Sequence, residues 1–250
     1  ASAVLLLTLA LAELSLHEQE RVVHDIGLAS ISLFSVVVAI FLGSSLLYKE
    51  IERKTLYVIL PKPIHRWEFL LGKYLGIVVT GGVFIAIMGG IQLWVSAAQA
   101  EAPVAALALV PVGATALLLV AMWRASDKTA VLLPWSVAFL AAGAFIASLG
   151  DVPLAPVLCA LLLTFGEVLV LTAVALLFSS FSSPFLTGAF TFGVWLIGRS
   201  ADAMLEMRAE VVGEPLARFL EVTARVVPNF HLFVPGRHAL TEAAAVPGAL

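Results

Sequence analysis

The stretch IGLASISLFSVVVAIFLGSSLL, Ile26 to Leu47, contains no charged residue. Twenty-two helical residues measure about 33 Å, enough to cross the ~30 Å hydrocarbon core of a bilayer. Blocks of the same kind recur on the C-terminal side. Tyr74–Val95 has Gln92 as its only strongly polar side chain. Ala105–Trp123 and Thr129–Leu149 are two more, interrupted by Pro111 and Pro134. Proline is tolerated in a membrane helix when neighbouring helices satisfy the carbonyl it frees. Ala155–Phe178 contains Glu167, and Phe181–Gly198 is shorter and richer in Ser, Thr and Gly. Upstream, residues 1–16 are apolar apart from Glu13. They lack the basic start and cleavage site of a signal peptide, and we read them as a membrane helix whose beginning has been cut off.

The composition agrees. Of 250 residues, 61 % are hydrophobic and 12 % charged, against about 25 % charged in an ordinary soluble domain. So little charge cannot cover a water-soluble globule, and disorder requires the opposite balance. The net charge of -3 shows no basic excess, so no nucleic-acid partner is expected. Cys159 is the single cysteine, which excludes an intrachain disulfide framework or a cysteine-rich metal site. His17 and His24 could share a helix face, but no third ligand lies near them, and no metal site is expected. The expected fold is all-α: a polytopic transmembrane helical bundle with a cytoplasmic helix-turn-helix connector and an external amphipathic helical segment.

Charge sets the orientation, because basic residues stay in the cytoplasm. Lys49, Arg53, Lys54, Lys62, Arg66 and Lys73 are six of the chain's 14 Lys and Arg. The loop carrying them is therefore read as cytoplasmic, as is the short Arg124–Lys128 link. The loops at 16–25, 97–104 and 150–154 contain one Arg and no Lys, and are read as outward. In the 199–240 tail, Met204, Leu205, Val211, Val212, Leu216, Phe219, Leu220 and Val226 recur at roughly helical spacing. One or two amphipathic helices on the outer surface or over the bundle would give that pattern. A plain outer cap without chemistry would give it too.

The most informative segment is the cytoplasmic one, 49–73. Its first part is helix-compatible and continues the preceding span. Glu50 and Lys54 form an i,i+4 pair in the favourable order. Pro61 and Pro63 then stop the helix, and a new short helix is expected to begin near Pro63 or Ile64. Lys73 sits where a cation can snorkel to the head groups. Such a connector can pass motion from a soluble partner to the helices on both sides. A loop that merely fixes topology would have the same composition.

This segment resembles the signature of ABC-2-type ABC transporter permeases, which runs close to E-x-E-x-x-T-L-x-x-x-L-x-x-P-x-x-R-x-E-F-L-L-G-K-Y-L. The matching residues are Glu50, Glu52, Thr55, Leu56, Leu60, Pro63, Arg66, Glu68, Phe69, Leu70, Leu71, Gly72, Lys73, Tyr74 and Leu75. Downstream, Glu167 within Phe165–Val170 and the following stretch to Pro184 are similar to the family's fourth span and the turn after it. Val227-Pro228-Asn229-Phe230 resembles the Leu-Pro-Asn element before its last span. The flavour is closest to the multicopper-enzyme maturation permeases, similar to the membrane subunit of nitrous oxide reductase maturation. The resemblance covers roughly residues 25–92 and 161–235. It leaves the two spans at 105–149 unplaced, and we expect a fragment lacking both ends of a protein of about eight spans.

The resemblance implies a single transmembrane permease domain over 1–250, in a bacterial inner membrane, with a second permease subunit and a cytoplasmic ABC ATPase subunit as partners. ATP and Mg would be bound by that ATPase, and no cofactor by this chain. ATPase coupling would fall to Glu50, Glu52, Arg53, Thr55, Leu56, Pro63, Arg66, Trp67, Glu68, Gly72 and Lys73. Of these, Trp67 could anchor in a partner pocket. Glu167 is a candidate for the substrate path or for coupling helices, since a carboxylate inside a span usually faces a bundle interior or a watery cavity. A structural hydrogen bond is its plainer reading. Leu71-Gly72-Lys73-Tyr74 is no phosphate loop: Trp67 stands where a first Gly is needed and Tyr74 where Ser or Thr is needed. No enzymatic activity of the chain itself is therefore expected. The rival reading is a non-transporting membrane anchor or assembly factor that recruits a soluble protein through the same loop.

Overall fold

A computed structural model describes residues 19–52, 65–150, 152–201, 218, 221–223, 225 and 227–233, with the backbone alone at 19–23, 46–52 and 66. Six long helices follow one another: α1 (Gln19–Glu52), α2 (Arg66–Gln99), α3 (Val104–Arg124), α4 (Lys128–Leu149), α5 (Leu154–Ser179) and α6 (Pro184–Arg199). A 3-10 turn at Phe230–Phe233 closes the described chain, and no strand occurs among the described residues. Five helices carry windows long and apolar enough to span a membrane: His24–Ser45, Trp67–Gln99, Val104–Arg124, Lys128–Leu149 and Leu154–Ser179. The expected polytopic helical bundle is what the chain forms. The helix expected at 1–16 lies outside the described residues, as does most of the 199–240 segment.

The ends of α3, α4 and α5 fall within a residue of the apolar blocks. Those of α1 and α2 do not. α1 begins at Gln19, so the expected outer loop at 16–25 is helical from there on. The residues Gln19–Asp25 contain no proline or glycine, so the helix simply continues beyond its apolar part. α2 begins at Arg66, after a non-helical His65, and Pro63 and Ile64, where the new helix is expected to begin, lie outside the described residues. α6 has only 16 residues, about 24 Å. The Ser180–Ser183 turn uses up the start of the block expected at 181–198, and Pro184 opens the helix, where its missing N–H costs nothing.

The described chain forms two compact units, and α1, α2 and α5 contribute residues to both. The first unit comprises residues 19–35 and Val79–Phe165. Its core includes Ile31, Ile85, Leu93, Ile146 and Leu161. Helices here approach at glycines. A Cβ at Gly143 would lie 2.8 Å from the Gly90 carbonyl oxygen, and one at Gly89 would lie 2.5 Å from Leu161. Such close backbone contact is a common basis of membrane helix packing. Gly89 and Gly90 of α2 are thus used inside the chain. Gly72 and Gly76, in the other unit, have open space where a Cβ would stand.

Helix α3 buries no residue and packs against α4, where Trp135 Nε1 donates to the Ala114 carbonyl at 2.8 Å. It also contains Pro111, which cannot donate to the carbonyl four residues back, that of Leu107. Trp94 Nε1 of α2 donates to that very oxygen, at 3.1 Å. A neighbouring helix therefore supplies the bond that the proline removes. Trp94→Phe is expected to cost about 1 kcal/mol. In a Pro111→Ala background it should cost much less, because the amide N–H restored at 111 takes the Leu107 carbonyl. Thermal unfolding of the two single variants and the double variant measures this. Equal losses in both backgrounds would refute the compensation.

The second unit comprises Val36–Val78 and residues 166–233. Ile77 and Leu176 pack with Leu42 and Tyr74. The Tyr74 hydroxyl donates to the Leu169 carbonyl at 3.3 Å, and Gly43 faces Ala175. After Arg199, residues 221–223 and 225 are helical, with an exposed i,i+4 ion pair between Arg225 and Glu221.

Candidate functional site

Two places hold the candidate residues, both in the second unit. The first is the connector. α1 and α2 each run 34 residues, about 51 Å, well beyond the hydrocarbon thickness. Glu50 and Glu52 lie on the last turn of α1, and Arg66 opens α2. Arg53, Thr55, Leu56 and Pro63 lie outside the described residues. At the start of α2, Glu68 Oε2 accepts the His65 backbone N–H at 3.2 Å. The residue before the helix is thus capped by an acid three positions later, which gives Glu68 a structural task besides any partner. Trp67 is 61 % exposed, and its ring stacks on that of His65 with centroids 6.5 Å apart. The Lys73 ammonium sits 5.6 Å from the Phe69 ring centroid, one turn back. Gly72 lies on open surface. The start of α2 is therefore a capped helix end displaying an aromatic side chain.

The second place is Glu167, midway along α5 and fully buried. Trp195 Nε1 donates to its Oε1 at 2.7 Å, and Arg199 to the same oxygen at 3.1 Å. The Arg199 guanidinium also lies 5.7 Å from the Trp195 ring centroid. Trp195 and Arg199 are one turn apart on α6, so one helix face aims both donors at one carboxylate. Arg199 is also the last residue of α6, where a cation suits the helix dipole. The face continues backward through Thr191, whose hydroxyl donates to the Thr187 carbonyl at 2.7 Å, to Thr187, 2.7 Å from the Ser182 hydroxyl.

Two glycines flank this ion pair, and one short segment covers both. A Cβ at Gly198 would collide with the Pro228 carbonyl oxygen and lie 2.5 Å from the Phe230 ring. A Cβ at Gly166 would lie 2.9 Å from the Phe233 ring. Phe230 is fully buried, and the turn is tightened by Asn229 Oδ1 accepting the His231 N–H at 2.9 Å. The segment thus docks on α5 and α6 beside Glu167 and Arg199. Reading the sequence singled out Glu167 but missed Trp195, Arg199 and the two glycines. Their signal was present as the four-residue repeat Thr187, Thr191, Trp195, Arg199.

Buried charge on apolar helices and a charged connector between two long ones define a multi-pass helical membrane protein. The chain matches the family model described as ABC-2 family transporter protein over residues 2–126, half of its length, and it belongs to that family. It is a permease of the ABC transporter type. The matched stretch includes α3, one of the two helices that the motif resemblance left unplaced. Comparison with curated proteins gave no match, nor did comparison with solved structures.

Proposed function

We propose that the chain is the membrane-spanning subunit of an ATP-driven exporter of a bacterial inner membrane, coupling ATP hydrolysis by a separate subunit to substrate movement. The carrying observation is that the family's connector joins two helices that both outrun the membrane, and that the second starts as a capped end with Trp67 exposed. A rigid helix that extends past the bilayer can act as a lever. A partner that binds the connector through the acidic Glu50, Glu52 and Glu68 and the basic Arg53, Arg66 and Lys73 would move both helices. Thr55, Leu56, Pro63 and Gly72 shape the same connector. ATP and Mg belong to the partner. A second permease copy completes the transporter, and the maturation-type flavour of the motif supports a role in assembling metal enzymes. Glu167, with Trp195 and Arg199, ties α5 to α6 so that the pair moves together.

The test uses the full-length protein, co-expressed with the product of its neighbouring gene and purified by a tag on this subunit. An ATPase is expected to co-purify, and Arg66→Glu or Glu52→Arg is expected to release it or uncouple its activity. If no ATPase binds and both variants match the wild type, the loop only fixes topology. The reading as a membrane anchor then takes over.

A further inference from the structure

Nothing in the connector or the ion pair accounts for a second polar group in the apolar spans. Gln92 of α2 is fully buried, and an amide in hydrocarbon is costly unless it is held. It lies against Gly27 of α1. A Cβ at Gly27 would collide with the Gln92 amide oxygen and lie 2.6 Å from Cδ and 2.8 Å from Nε2. The Gln92 amide thus occupies the place where a side chain at position 27 would begin. One turn further along the same antiparallel seam, His24 Nε2 and the Ser96 hydroxyl are 3.2 Å apart. Ser96 is 4 % exposed. Two successive turns of α1 therefore meet two successive turns of α2, one through the close fit of the Gln92 side chain on Gly27 and one through the His24–Ser96 hydrogen bond.

We propose that Gln92 packed on Gly27, with His24 hydrogen-bonded to Ser96, forms a clamp that keeps the start of α1 and the end of α2 together throughout the transport cycle. These are positioning residues. Interhelical polar contacts and a glycine that lets the backbones approach hold membrane helices together. The connector joins the other ends of the same two helices. A push on the connector would then meet a seam at which α1 and α2 resist sliding past each other. This step rests on the coupling role proposed for the connector, but the clamp itself does not.

The shape of the contact gives the first test, which needs no partner. Gly27→Ala should lower the melting temperature of the full-length protein by roughly 4 °C or more. Adding Gln92→Ala, which removes the atoms in the way, should restore part of that loss. A silent Gly27→Ala, or a double variant that loses the sum of the two single losses, would overturn the clamp. The second test follows the cycle. Replacing Cys159, the chain's single cysteine, allows Gly27→Cys and Gln92→Cys to be introduced as a pair and cross-linked in the assembled transporter. Cross-linking should proceed equally with and without trapped nucleotide, and ATPase activity should survive it. Cross-linking lost on nucleotide trapping, or activity lost on cross-linking and regained on reduction, would show that these ends separate. If no ATPase assembles at all, the coupling reading fails while the first test still decides the clamp.

Discussion

Arg199→Ala is expected to be the most damaging single substitution at the α5–α6 contact, costing about 3 kcal/mol or more. It leaves the carboxylate of Glu167, 0 % exposed, without its countercharge. Glu167→Gln should cost less, about 1–2 kcal/mol. The amide oxygen can still accept the Trp195 N–H, and Arg199, 28 % exposed, keeps some access to water. The combined variant, Glu167→Gln with Arg199→Ala, should be more stable than Arg199→Ala alone, because no charge is then stranded. Thermal unfolding of the four proteins in one detergent or nanodisc preparation checks the order. Additive losses would mean that the two side chains, although in contact, are not energetically coupled.

The second large effect concerns a methyl group. Gly198→Ala places a Cβ against the Pro228 carbonyl oxygen and the Phe230 ring. The ring could turn, but a backbone oxygen cannot move without the segment leaving. The substitution should cost about 2–3 kcal/mol and should undock the 228–233 turn, read as faster limited proteolysis after α6. Gly193→Ala on the same helix is the control. Nothing lies within 4 Å of that position, so Ala should be neutral or stabilising by about 0.5–1 kcal/mol through helix propensity alone. If both behave alike, the docking of Phe230 on Gly198 does not hold the turn in place.

These two cases show how far the sequence could be read. The spans were legible because a charge-free run of about twenty residues has one stable state in a bilayer, a helix. The starts of α3, α4 and α5 followed within a residue. The connector reads as a charged interval broken by Pro61 and Pro63, and the described helices flank it up to Glu52 and from Arg66. Glu167 stood out as a carboxylate in an apolar run. Its partners did not, since Trp195 and Arg199 lie 28 and 32 residues away in the chain. A tryptophan near a span end otherwise suggests only an interfacial anchor. Nor could Pro111 be matched to Trp94, because periodicity within one helix says nothing about which neighbour faces a freed carbonyl.

By itself, the sequence determined that the chain is helical and membrane-spanning, where most spans lie, and which loop carries the family's motif. These follow from transfer free energies and backbone hydrogen bonding, which act segment by segment. The tertiary structure decided which glycines are contacts and which are open surface, and that Arg199 and Trp195 converge on one oxygen of Glu167. It also set Gln92 on Gly27. Those outcomes depend on which helix faces lie together, and that is settled by close packing between residues far apart in the chain.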